Sequence, residues 1–101
     1  MPDVPKPVDI AKCIQDKAEN RELLRCTCEH VAYRIDLCVH RKAKCEFLAA
    51  QAKDSRHREQ FLYRAGLADL AILKWRAKAS RYRAEMSRLD FDIMKLKGAA
   101  I

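Results

Sequence analysis

Between Pro7 and Gly66 the chain has neither proline nor glycine, and its 101 residues hold only three prolines and two glycines. Those residues are the strongest local terminators of regular structure, so their scarcity leaves long stretches without a stop signal. It also excludes a glycine-rich phosphate loop. No apolar run approaches the roughly 20 residues of a membrane span, and no membrane partner is expected. The opening MPDVPKP is followed by charge rather than by an uninterrupted apolar segment, unlike a secretory signal. The expected compartment is the cytoplasm.

Disulfide pairing is poorly provided for. The five cysteines (13, 26, 28, 38 and 45) all precede residue 46, an odd set with no late partners. Cys26 and Cys28, two apart, point to opposite sides of a helix and could not bridge each other. Buried thiols in a reducing compartment are expected.

Catalytic patterns are missing as well. There is no H-E-x-x-H and no pair of carboxylates over an obvious cleft. Cys26 and His30 share a helix face at i,i+4, which is half of a zinc site, while Cys13, Cys28 and Cys38 fall on other faces. His57 sits among Lys53, Arg56 and Arg58 rather than beside a carboxylate that would make it a paired base. The chain is therefore expected not to be an enzyme, with no catalytic residue, metal, cofactor or small-molecule substrate assigned.

What the chain does have is 50% apolar and 35% charged residues, enough for one packed domain. Its net charge is +7, of which residues 1–50 contribute +1 and residues 51–101 contribute +6. A surplus of that sign favours anionic surfaces, acidic proteins as well as nucleic acid.

Helix boundaries are readable. In VDIAKC, Asp9 is placed as an N-cap with Val8 and Cys13 as a hydrophobic staple. In KLKGAAI, Lys95 and Lys97 form a last turn before Gly98. Between them the only polar punctuation is QAKDSRHREQ, where Asp54 or Ser55 caps a second helix. The expected organisation is an N-terminal extension over 1–8, one helical hairpin over 9–97 and a tail over 98–101. Within the hairpin, helix 1 is expected near 9–52, the turn near 53–55 and helix 2 near 56–97. Helices of about 43 residues far exceed the globular average and call for a repeat.

Helix 2 supplies the repeat. Phe61, Ala65, Ala68, Ile72, Trp75, Ala79, Tyr82, Met86, Leu89, Ile93 and Leu96 alternate spacings of four and three, the pattern of a left-handed coiled-coil seam. Helix 1 keeps the rhythm through Ile10, Ile14, Leu24, Cys28, Val31, Ile35, Cys38, Cys45, Ala49 and Ala52. It is interrupted by Lys17, Arg21 and Lys42, whose stems are expected to snorkel. Folded antiparallel, Ala49 faces Phe61, Cys38 faces Ile72, Ile35 faces Trp75 and Val31 faces Ala79. The fold class is all-α, a long antiparallel coiled-coil hairpin.

A second stripe lies roughly opposite the first. On helix 1 it includes Leu23, Tyr33, Leu37 and Phe47, and on helix 2 Tyr63, Leu70, Leu73, Ala77, Ala84, Phe91 and Met94. Small residues at 66, 77, 80, 84 and 87 would admit another helix closely. A lone hairpin leaves these stripes in water over about 40 Å or more at 1.5 Å per residue. An apolar patch of that extent marks an association surface. Two hairpins closing as a four-helix bundle would bury both stripes by using one patch twice. The expected partner is a second copy or another helical protein.

The segment KWRAKASRYRAEM offers a competing reading, since rings interleaved with cations suit nucleic acid. Trp75 and Tyr82, however, are one heptad apart in the seam, and rings committed there cannot also stack on bases. The cations that remain as candidate phosphate contacts are Arg41, Lys44, Lys53, Arg56, Arg58 and Arg64 near the turn, with Lys74, Lys78, Arg81 and Arg88 along helix 2. Glu22, Glu29 and Asp36, spaced by sevens on helix 1, could neutralise the helix 2 arginines across an interface. A non-catalytic coiled-coil adaptor or assembly subunit is the leading expectation, and a basic helical bundle that binds nucleic acid the runner-up.

Overall fold

The computed structural model describes residues 6–99 as two antiparallel helices forming a hairpin, with no strand among the described residues. Helix α1 spans Pro7–Gln51 and α2 spans Ser55–Ala99. Part of the expected N-terminal extension and the last two residues of the expected tail lie outside the described residues.

The boundaries differ from the sequence expectation in instructive ways. Helix α1 begins two residues before Asp9, because Pro7 sits in the first turn, where its missing N–H has no intrahelical partner to lose. The Lys6 carbonyl accepts the amides of Asp9 (3.0 Å) and Ile10 (3.1 Å), so Asp9 lies inside the first turn, where its charge suits the helix dipole. At the far end α2 runs on through Gly98. Among the described residues no glycine has positive φ, so Gly98 continues the helix where a stop was expected.

The turn is made by Ala52, Lys53 and Asp54. Asp54 is the N-cap of α2: its Oδ1 accepts the Arg56 amide at 2.7 Å and its carbonyl accepts the Arg58 amide at 3.1 Å. Arg58 reaches back, donating from Nη2 to the Ala52 carbonyl at 3.2 Å, so a cation closes the end of α1. His57 is not isolated among cations, as the sequence suggested. Its Nδ1 lies 2.9 Å from Asp54 Oδ2, one helical turn away.

The bond from the Arg56 amide, followed by that from His57, holds the Asp54 carboxyl below its ordinary value of 3.8. A carboxyl whose folded pKa is depressed contributes stability above the unfolded value and loses it as pH falls through the folded one. Asp54→Asn keeps the cap without titrating. Its stability is therefore expected to fall less than wild type between about pH 5 and about pH 2, as read by urea denaturation at each pH. Equal acid sensitivity in the two proteins would remove Asp54 from the account.

Contacts divide the chain into two units. The turn unit is Glu29–Ser80, and the terminal unit joins the part of α1 up to Cys28 to the part of α2 from Arg81. Among the described residues the five apolar side chains closed to solvent, Val31, Cys38, Ala49, Ala65 and Ile72, belong to the turn unit and are 1–8% exposed. Two are branched, Val31 and Ile72, and three are small, a mix that lets two helices approach. In the terminal unit the seam residues Ile14, Leu24, Cys28, Tyr82, Met86, Leu89 and Ile93 are only half-buried. Cys28 Sγ lies 3.7 Å from Met86 Sδ there.

Candidate functional site

In the turn unit Ile35, Phe61, Trp75 and Ala79 are half-buried, whereas Cys38 and Ile72 are buried. The Trp75 ring is closed on one side by Lys78, whose Nζ stands 4.8 Å from the ring centroid. That cation–π contact employs a side chain that had been a candidate phosphate contact.

The three cations that interrupt the α1 seam are paired across it. Lys42 Nζ lies 3.0 Å from Asp69 Oδ1 and 3.9 Å from Glu46 Oε1. In the terminal unit, Lys17 Nζ lies 3.6 Å from Asp92 Oδ2, and Arg21 Nε donates to Asp90 Oδ1. Each of these side chains is part exposed, so each bridge adds little stability, of order 0–1 kcal/mol. Their effect is on register. A one-residue slip would set Lys17, Arg21 and Lys42 against apolar positions of α2.

Of the acidic row Glu22, Glu29 and Asp36, the first has a partner within its own helix. Glu22 is held within α1 by Arg25, with Nη2 to Oε1 at 2.6 Å and Nε to Oε1 at 2.9 Å. The Arg25 bond keeps the Glu22 carboxyl below its ordinary value.

The outer stripe is in water. Leu23, Tyr33, Phe47, Tyr63, Leu70, Leu73, Phe91 and Met94 are 51–70% exposed, and Ala77 and Ala84 are exposed with them. Leu37 is the exception, half-buried. Lys95 lies over the Phe91 ring, its Nζ 5.0 Å from the centroid. The sequence pattern did not single out Val39, Leu62 and Leu67, which are exposed as well. A Cβ placed on Gly66 would meet nothing within 4 Å, so packing inside the hairpin does not demand glycine there.

The candidate phosphate contacts Arg41, Lys44, Lys53, Arg56, Arg58, Arg64, Lys74, Lys78, Arg81 and Arg88 are all exposed. They do not form one surface of common purpose, since Arg58 serves the turn and Lys78 covers Trp75. Cys26 and His30 are both exposed. Arg25 Nη2 approaches Cys26 Sγ at 3.8 Å, and Arg34 Nε donates to His30 Nε2 at 3.5 Å. Among the described residues no group of three or more His, Cys, Asp or Glu is placed to hold a metal ion. The five cysteines are free thiols, but only Cys38 is buried as expected: Cys28 and Cys45 are half-buried, and Cys13 and Cys26 face water on outward positions of α1. Among the described residues no helix is long and apolar enough to cross a membrane.

Comparison with protein-family models, curated proteins and solved structures gives no match to this chain.

Proposed function

We propose that the chain is a non-catalytic helical assembly module that buries its outer stripe against a second copy, closing a four-helix bundle. The observation that carries this reading is the exposure of eight large apolar side chains, from Leu23 to Met94, on the outward faces of both helices. Water-facing Leu, Phe, Tyr and Met at heptad spacing repay covering at roughly 25 cal/mol per Å² of apolar surface removed from solvent. A second argument comes from the terminal unit. Its seam is only half-buried and carries Lys17 and Arg21, so a further layer of helix would supply burial that two helices cannot. Gly66, with open space beside it, would let a neighbouring backbone come near. The free thiols suit a reducing compartment, and we place the module in the cytoplasm.

Light scattering at micromolar concentration tests the reading. The expected mass is about twice the 11.7 kDa of one chain. A well-dispersed monomer that keeps full helicity on dilution would overturn self-assembly and leave a helical partner of another sequence as the only cover for the stripe.

A further inference from the structure

A groove of about 510 Å³ runs along one flank of the turn unit, at the edge of the seam. Its floor is Cys38, Cys45, Leu48, Phe61, Ala68 and Ala71, all buried or half-buried. Its rim is Arg41, Lys44, Arg64 and the half-exposed Leu67. No acidic residue lines it. The nearby carboxylates Glu46 and Asp69 are engaged by Lys42, and the three rim cations form no ion pair among the described residues. A second groove, of about 390 Å³ in the terminal unit, lacks this bias because Glu85 and Arg88 both line it.

From this arrangement we infer that the turn-unit groove is a docking site for an acidic amphipathic helix of another protein. The lining residues 38–48 and 61–71 cover about 15 Å of each helix, three turns at 1.5 Å per residue. A partner helix of that length would lay an apolar edge on Leu48, Phe61 and Leu67, with its flanking carboxylates meeting Arg41, Lys44 and Arg64. Charge complementarity selects the acidic class, since a basic helix would bring like charges together on a three-cation rim. A small amphiphile fits less well. Such ligands are held by enclosed sites that cover most of their surface, and here the rim is exposed. A nucleic acid would use the rim but not the aliphatic floor. None of its lining residues belongs to the outer stripe of Tyr63, Leu70 and Leu73, so the inference does not rest on self-assembly.

The test uses the full chain and a fluorescent peptide of about 18 residues, with leucine at each a and d position and glutamate at each e and g. The comparison peptides carry lysine at e and g, or serine at a and d. Anisotropy titration is expected to show the glutamate–leucine peptide binding at least about tenfold more tightly than either. Arg41→Glu with Arg64→Glu is expected to reverse the charge preference, and Leu67→Asp to abolish binding. Leu70→Asp with Leu73→Asp is expected to leave binding intact, which separates this site from the stripe and also opens the groove should assembly cover it. Three results would each overturn the inference: equal binding of the glutamate and lysine peptides, binding of the serine peptide as tight as the leucine one, or no binding by any. So would full displacement of the peptide by a thymidine oligonucleotide acting on wild type but not on the rim variant, the mark of a polyanion site.

Discussion

Truncating Ile72 to alanine is expected to destabilise the hairpin more than truncating Trp75, although the indole is far larger. Ile72 is 5% exposed and lies among the few residues fully closed to water, so its loss combines transfer and cavity terms at about 2–5 kcal/mol. Trp75 is only half-buried, and Lys78 rather than core covers one face of its ring. Removing it is expected to cost about 1–3 kcal/mol, below the usual value for a buried indole. Urea denaturation of both variants at one protein concentration compares them, with concentration fixed because association adds to apparent stability. For a chain of this size the Ile72 loss is a large part of the total. A loss under about 1 kcal/mol for Ile72→Ala would mean that the turn-unit core is not where stability resides. A larger loss from Trp75 would place that ring under a second chain.

How far the sequence discloses this architecture depends on what carries the signal. The four–three run from Phe61 to Leu96 is an unbroken geometric pattern, and two helices joined near Asp54 follow from it without further information. The interruptions at Lys17, Arg21 and Lys42 look like defects when α1 is read alone. Their partners Asp69, Asp90 and Asp92 are on the other helix, and only the register of the hairpin brings them together. Conversely, the heptad spacing of Glu22, Glu29 and Asp36 suggested pairing across an interface, yet Glu22 is satisfied three residues away by Arg25. Local i,i+3 geometry was available to both readings, and spacing alone does not choose between them. The helix ends lie one or two residues from those expected, where a weak rule meets a stronger one. Pro7 is compatible with a first turn, and Gly98 permits a left-handed cap without requiring one. The flank groove was the least legible feature. Its floor mixes seam positions with Leu48 and Ala71, which belong to no single stripe, and it exists only once both helices are placed.

Replacing Leu70 and Leu73 together by aspartate is expected to convert the assembled protein to single chains. Both side chains are on the outward face of α2, 57% and 61% exposed, so within one hairpin they have little packing to lose. Substitutions at such positions ordinarily change the stability of a lone fold by about 0.5 kcal/mol or less. In a two-fold interface the same change places four carboxylates in an apolar layer, because each of the two chains brings both positions to it. Burying even one unpaired carboxylate costs several kcal/mol, and the group ionises only by keeping the interface wet. The scattering mass should therefore fall toward that of one chain, while a Lys53→Asp control in the exposed turn keeps the assembled mass. Any loss of helicity in the double variant should be independent of concentration and match that of wild type diluted to single chains, because it would come from the half-buried terminal unit losing its covering layer. A double variant that retains the assembled mass would show that the outer stripe is not the surface through which the chain associates.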